Sequence, residues 1–356
     1  MNKGDLCLVT GVSGYLASWV AKDLLDQGFR VRGTIRNLQD KSRIQILEKL
    51  LPGIELVAAD LRAEEGWAAA VEGCDWVFHV ASPQAVKTEK DRTGGAVSGM
   101  KYLLGAAFNS NSVRKIVLTS SEAAIAYGHP RSKQHFDESD WTNLDNIKGN
   151  GMGADYFRSK TLAERLAWEW ANDRARNLRQ IPIASVNPSF ILGPSLVPWG
   201  RYSLKSFLDM IQGKIPVMLD MNMRMVDVRD CAQMHIAVMQ NPQANGQRHL
   251  SFAVNGRMID IANIVRRDYP HLGFTPAKKI TPNWLFNILR LFSNEVASLY
   301  SHIGNEMIYT TQHPNIYDYK FDTYSNILAD TIKSILEHGW ITTPNVKKIN
   351  PLKVSV

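Results

Sequence analysis

The chain has 356 residues, 45% hydrophobic and 21% charged, with a net charge of +7. This composition excludes a disordered chain, a collagen-like repeat and a small disulfide scaffold, and the length predicts one large domain or two modest ones. The basic residues are scattered, so we expect neither a nucleic-acid nor a membrane partner. Three distant cysteines, an N-terminus that runs directly into a strand and the lack of a long apolar stretch predict a cytoplasmic protein.

The first half alternates apolar strands with amphipathic helices. Strands are predicted at 6–9, 29–35, 54–59, 75–80, 113–119 and 181–186, and helices at 15–27, 43–51, 93–109 and 156–174. Strands separated by single helices indicate βαβ units, and right-handed crossovers then build an α/β fold with a Rossmann-type, doubly wound parallel sheet. Ligands of such sheets bind at the carboxyl ends of the strands.

After residue 187 several prolines predict an exit from the sheet. A helix at 228–239 and a strand at 248–254 return to it. We therefore predict an NADP-binding domain at 1–187, rejoined by 226–254, a smaller C-terminal substrate-binding lobe at 188–225 and 255–342, and a mobile tail at 343–356. The apolar run 284–296 is interpreted first as core of this lobe. A wall over the substrate cleft and a membrane-surface helix are the alternatives.

A glycine turn follows the first strand. Residues 10–17 have the form T-G-x-x-G-x-x-A. Gly11 allows a tight turn, Gly14 lets the backbone approach a pyrophosphate, and the first N–H groups of the next helix face the phosphates. Ser13, Tyr15 and Leu16 complete the predicted contacts of this turn.

The end of the second strand indicates which dinucleotide binds. An NAD site places an acid there for the ribose hydroxyls, but the chain has none before Asp40. Arg36 offers a planar cation to a 2′-phosphate, and Arg43 or Lys41 adds a second charge. The cofactor is therefore predicted to be NADP.

The ends of the next two strands extend this predicted site. Asp60 and Leu61 follow the third strand and are expected beside the adenine. Val80, Ala81 and Ser82 follow the fourth strand and are expected beneath the nicotinamide ribose.

Tyr156 and Lys160 are four residues apart and share one helix face. A phenol titrates near pH ~10, and a nearby ammonium lowers its pKa, which makes it a better acid–base group at neutral pH. Ser120 and Ser121 end the fifth strand, and a hydroxyl there could polarise a carbonyl oxygen beside the tyrosine.

Taken together, these motifs resemble the extended short-chain dehydrogenases/reductases, and within them the dihydroflavonol reductase and aldehyde (carbonyl) reductase branch. The matching segments are 10–17, 78–83 (FHVASP), 118–121 (LTSS), 156–164 (YFRSKTLAE), 187–194 (NPSFILGP) and 227–230 (DVRD). The resemblance implies that Tyr156 is the general acid, that Lys160 lowers its pKa and holds the ribose, and that Ser121 orients the carbonyl, with Ser120 as the neighbouring candidate. It also implies that Pro188 and Ile191 support the carboxamide end of the cofactor.

Two positions depart from the family pattern. Ser98 stands where many relatives carry an asparagine, which puts a catalytic role for that position in doubt. Ala126 stands where plant flavonoid reductases carry an asparagine, so dihydroflavonol is not assigned as the substrate.

Phe190 and Trp199 are candidates for lining the substrate pocket.

The sequence therefore predicts an NADPH-dependent reductase of an aldehyde or ketone, acting reversibly as an alcohol dehydrogenase on an apolar or aromatic small molecule. We expect a monomer or homodimer, and no metal because the nine histidines lack metal-ligand spacing. The alternatives are a nucleotide-sugar epimerase or dehydratase, a hydroxysteroid-type dehydrogenase/isomerase and a non-catalytic NADP-binding regulator.

Overall fold

The computed structural model describes residues 1–83, 92–148, 152–200, 204–292 and 294–341, without the side chains of residues 152, 294, 295 and 298. Residue 342 and the predicted tail 343–356 lie outside the described residues.

The first part of the chain alternates strands and helices as predicted. Its elements are β1 (Leu6–Val9), α1 (Tyr15–Asp26), β2 (Arg30–Ile35), α2 (Lys41–Leu50), β3 (Glu55–Ala58), α3 (Trp67–Val71), β4 (Trp76–His79), α4 (Arg92–Asn109) and β5 (Lys115–Thr119). The continuous apolar runs of β1, β4 and β5 are buried because helices cover both faces of the sheet.

The second part of the chain adds two further strands to that sheet and contains the segments predicted as a lobe. Its elements are β6 (His135–Phe136), α5 (Met152–Asn172), β7 (Ile183–Pro188), β8 (Phe190–Leu192), α6 (Lys205–Ile211), β9 (Met225–Asp227), α7 (Val228–Gln240), β10 (Arg248–Ser251), α8 (Met258–Asp268), α9 (Asn283–Leu289), α10 (Asn294–Leu299), β11 (Ile308–Tyr309) and α11 (Tyr324–Glu337). Helix α5 begins four residues before its predicted start, and β7 ends two residues after its predicted end.

Seven strands form one parallel sheet in the order β3-β2-β1-β4-β5-β7-β10. The predicted α/β Rossmann-type fold is thus confirmed. Since every strand points the same way, the ends of β1, β2, β4 and β5 meet at one edge. The chain adds β2 and β3 on one side of β1 and β4 and the later strands on the other side, and ligands bind where these two halves meet.

The segments predicted as a lobe share a buried cluster with the helices on one face of the sheet. Phe207 of α6, Ile261 of α8 and Ile327 of α11 belong to the same buried cluster as Val20 of α1 and Val228 of α7. The opposite face of the sheet packs against α3, α4 and α5 in a second cluster. Part of the predicted lobe therefore packs on this face of the sheet, whereas Leu299 of α10 packs against α5.

The apolar run 284–296 does not form the predicted single core helix. Helix α9 ends at Leu289 and the chain turns at residues 290–292, so the helix makes only about two turns. Phe286 is 4% exposed, whereas Trp284 is 64% and Phe292 84% exposed. Among the described side chains of this run Phe286 alone is fully buried, so the interpretation as lobe core is wrong for most of the run. No helix in the described part of the chain is long and apolar enough to cross a membrane.

Candidate active site

The glycine turn lies tightly against the end of β4. Gly11 has φ +65°, and a Cβ placed on it would approach Cβ of Ala81 to 3.0 Å. Gly14 caps α1 without a side-chain hydrogen bond to the first N–H groups of the helix. A helix start without a side-chain cap, reached by a close backbone turn, suits an anionic phosphate group.

Two predicted contacts at this turn have side chains that point into the protein. The Tyr15 hydroxyl donates to the carbonyl oxygen of Gly193 at 2.8 Å, and Leu16 is buried. Thr10 has a role that we did not predict. Its hydroxyl accepts hydrogen bonds from the backbone N–H groups of Val80 and Ala81, each at 3.0 Å, and so holds the end of β4 against β1.

The end of β2 borders a cleft of about 300 Å³ whose lining is mainly polar and charged. It is lined by Ser13, Ile35, Arg36, Asn37, Asp40, Arg43, Asp60 and Arg62. Three arginines face two acids there, so the cleft has a positive balance. The structure thus brings together the predicted residues Ser13, Arg36, Arg43 and Asp60.

Asp60 and Leu61, which follow shortly after β3, are both held by contacts within the protein. Hydrogen bonds from Arg62 hold the pKa of the Asp60 carboxyl below its usual range, and the charge of Arg36 adds to this effect. The Leu61 carbonyl accepts from the Ser98 hydroxyl at 2.7 Å. Ser98 is therefore engaged in fixing α4 to this loop.

Trp199, a candidate for lining the substrate pocket, contacts the glycine turn. Its indole N–H donates to the carbonyl oxygen of Ser13, and the Arg43 guanidinium lies 4.6 Å from the centroid of its ring. This contact joins the lobe segment after β8 to the glycine turn.

Tyr156 and Ser121 face one another at the carboxyl edge of the sheet. The Tyr156 hydroxyl donates to Oγ of Ser121 at 3.3 Å, and Ser121 in turn donates to the Pro188 carbonyl at 3.4 Å. Burial raises the pKa of Tyr156, while the hydrogen bond with Ser121 and the charge of Arg92 act in the opposite direction. The phenol therefore stays protonated at neutral pH and is held beside a second hydroxyl.

Lys160 lies in a second, narrower cleft close to this pair. Burial lowers the pKa of Lys160 to about 8, although the nearby Glu164 carboxylate favours the charged form. Its ammonium donates to the Thr119 carbonyl at 3.3 Å. The influence of Lys160 on the pKa of Tyr156 stays a prediction.

The second cleft runs between the ends of β4 and β5 and helices α4 and α5. It is lined by Leu61, His79, Ala81, Ser82, Pro83, Ala96, Met100, Thr119, Ser120, Ser159, Lys160, Ala163 and Glu164. The predicted residues Leu61, Ala81, Ser82, Ser120 and Lys160 are thus brought together. Ile191 lies in β8, which follows Pro188 after one intervening residue.

Ser120 and Ser121 have separate roles that the sequence did not distinguish. Oγ of Ser120 donates to Glu164 at 2.6 Å, so its hydroxyl is directed away from Tyr156. Glu164, 2% exposed, also accepts from Ser185, Asn187 and the guanidinium of Arg248. Burial raises the pKa of Glu164, but Arg248 and these hydrogen bonds outweigh burial and hold it below its usual value.

The Glu164 network was missed in the sequence, where the only signal was an acid on the apolar face of the Tyr156 helix. His79 beside the second cleft is buried, which lowers its pKa to about 3, and its ring pairs with the Thr10 hydroxyl. Among the described residues no group of three or more His, Cys, Asp or Glu side chains is placed to hold a metal ion.

The parallel sheet, the glycine turn and the Ser121–Tyr156–Lys160 arrangement define a protein of the short-chain dehydrogenase/reductase class. The chain belongs to the NAD dependent epimerase/dehydratase family, whose model matches residues 7–254. The resemblance drawn from the sequence motifs is thereby confirmed.

The relatives include reductases from plants. The chain is 34% identical to "Cinnamoyl-CoA reductase 1" of Arabidopsis thaliana over 75% of its own length and 76% of that protein. It is 32% identical to "Dihydroflavonol 4-reductase" of Dianthus caryophyllus over 76% of its length and 75% of that protein. The crystal structure of vestitone reductase from alfalfa superimposes with a TM-score of 0.72 at 28% identity, covering 95% of this chain and all of that one.

Proposed function

We propose that this protein reduces an aldehyde or ketone to the corresponding alcohol with NADPH. The observation that carries the proposal is the pair of hydroxyls of Tyr156 and Ser121, 3.3 Å apart, beside the cleft that holds Lys160. A carbonyl oxygen that enters between two such donors is both polarised and protonated. The reductases among the relatives support this reaction over an epimerisation.

The residues present fit NADP. The glycine turn and the uncapped start of α1 suit the pyrophosphate, and the cleft with three arginines and two acids suits the additional 2′-phosphate. Arg36, exposed at the end of β2, is the main proposed partner of that phosphate. Ala81, Ser82 and Lys160 would hold the nicotinamide ribose.

When bound, the reduced nicotinamide supplies the hydride that the carbonyl carbon receives. Ser121 donates a hydrogen bond to the carbonyl oxygen, and Tyr156 gives it a proton. The tyrosine is protonated before the reaction because burial raises its pKa. The positive charge of Lys160 then stabilises the phenolate that remains.

The first test is net consumption of NADPH with a panel of aldehydes and ketones, followed as the loss of the reduced cofactor's absorbance. We expect stoichiometric formation of alcohol. An epimerase would convert a nucleotide sugar without net change in the cofactor, and a regulator would bind NADPH without turnover. Either result would overturn the reductase proposal.

Arg36→Ala is expected to weaken NADPH binding by about tenfold or more and to leave NADH binding nearly unchanged. The loss corresponds to a charge-assisted hydrogen bond with the 2′-phosphate, worth about 1.5–3 kcal/mol. Fluorescence titration of both cofactors measures it, with Arg30→Ala, an exposed arginine at the other end of β2, as the control. Equal losses for NADPH and NADH would exclude the proposed contact.

A further inference from the structure

A buried polar cluster lies next to Ser121 and has no part in the chemistry described so far. It consists of Glu122, Arg224 and Tyr309, and we call it the Arg224 cluster. Nε of Arg224 donates to Oε2 of Glu122 at 3.1 Å, and the guanidinium carbon lies 3.4 Å from the centroid of the Tyr309 ring. The Arg224 side chain is only 2% exposed.

Two polar atoms of this cluster lack partners. Nη1 of Arg224 and the hydroxyl oxygen of Tyr309 are buried, and neither has a hydrogen-bond partner within the described residues. Buried donors are nearly always paired in folded proteins because an unpaired one costs stability. Two such atoms in one cluster indicate a place where a ligand oxygen completes the hydrogen bonding.

The cluster is also in the right place to contact a substrate. Glu122 follows Ser121 directly, and the Arg224 carbonyl accepts from the N–H of Phe190, two residues after the carbonyl of Pro188 that holds the Ser121 hydroxyl. Tyr309 lies at the end of β11 in a small apolar cluster with Ala126. The Arg224 cluster is thus connected to Ser121 in two ways, through Glu122 along the chain and through the backbone of Phe190 and Pro188.

We propose that the Arg224 cluster is a substrate subsite that binds a second, uncharged oxygen of the carbonyl substrate, such as that of an ester or another ketone. The inference rests on the proposed reductase function for its substrate class. Nη1 of Arg224 and the Tyr309 hydroxyl donate to that oxygen. Because Glu122 already balances the guanidinium charge, a free carboxylate would bring an uncompensated negative charge into a buried site.

Binding to the NADP⁺ complex tests the subsite without turnover. The probes are ethyl levulinate, the levulinate anion, and methyl hexyl ketone. The ketone has the same chain length as the ester and a single carbonyl. We expect the ester to bind roughly tenfold more tightly than the acid, and Tyr309→Phe to weaken the ester about fivefold or more while the ketone is unchanged. If the cluster binds only water, Tyr309→Phe should change the affinities for the ester and the ketone equally. That result would overturn the proposal.

Glu122→Gln tests the charge argument, because it should lower the preference for the ester over the acid. Removal of the balancing charge leaves the Arg224 cation free, so the preference for ester over acid is expected to fall by about tenfold or to reverse. An unchanged ratio contradicts the charge argument. Tyr300→Phe, at a partly buried tyrosine outside the Arg224 cluster, is the matched control and should leave all three affinities as they are.

The outcomes separate this inference from the reductase proposal. Turnover of carbonyl compounds without any ester preference would reject the subsite alone. An ester preference in binding with no turnover of any carbonyl compound would reject the reductase function and keep the subsite. Failure of the NADP⁺ complex to bind ethyl levulinate at all would also overturn the subsite.

Discussion

Tyr156→Phe is expected to lower carbonyl reduction by about 100-fold or more while NADPH binding changes by less than about threefold. The substitution removes only the hydroxyl, which now donates to Ser121 at 3.3 Å. Without it the developing alkoxide keeps a single hydrogen bond from Ser121 and receives no proton from the protein. The ring remains and preserves the packing of α5.

Single-turnover measurements with saturating NADPH isolate the chemical step of this variant. Tyr102→Phe, at a partly buried tyrosine on α4, is the matched control and should keep full activity. Reduction by Tyr156→Phe at the wild-type rate would show that the proton comes from another group. Loss of NADPH binding in parallel with activity would instead show that Tyr156 serves mainly to hold the cofactor.

The parts of the protein that follow local rules were predicted well. Buried parallel strands are continuous apolar runs, and for that reason β1 and β5 can be recognised in the sequence. The glycine turn and the Tyr156–Lys160 spacing are local patterns whose geometry is set by one turn or one helix face. Their positions relative to each other then follow from the common direction of the strands.

Contacts between distant segments could not be predicted in the same way. Trp199 binds the carbonyl of Ser13 across 186 residues, and this contact depends on the path of the lobe over the sheet. Apolar character also did not predict burial, since Phe292 lies at a turn where the lobe does not cover it. Nη1 of Arg224, which has no hydrogen-bond partner among the described residues, can be recognised only once Glu122 and Tyr309 are placed around it.

The Glu164–Arg248 ion pair also joins segments that are distant in the sequence, and we expect its loss to have a large effect on stability. Both side chains are buried, at 2% and 8% exposure, and the guanidinium donates to both carboxylate oxygens at 2.8 and 3.1 Å. Arg248 is in β10, the edge strand of the sheet, and it also donates to the carbonyl oxygen of Glu138 at 2.8 Å. The pair therefore ties α5, which carries Tyr156 and Lys160, to the edge of the sheet.

Glu164→Ala is expected to lower the free energy of unfolding by about 3–5 kcal/mol, because it leaves the Arg248 cation buried without a counter-charge. Urea unfolding measures the change, and Glu169→Ala, at an exposed acid on the same helix, should stay within about 0.5 kcal/mol of wild type. The pKa of Glu164 is lowered in the folded protein, so its contribution is present above the pKa of the unfolded carboxyl and is lost as the pH falls through the folded value.

A double variant separates the burial of charge from the loss of contacts. In Glu164→Leu with Arg248→Met both charges are gone, so a substantial part of the lost stability should return, although Ser120, Ser185 and Asn187 lose their common acceptor. If the double variant were as unstable as the sum of the single variants, the unpaired charge would not be the cause.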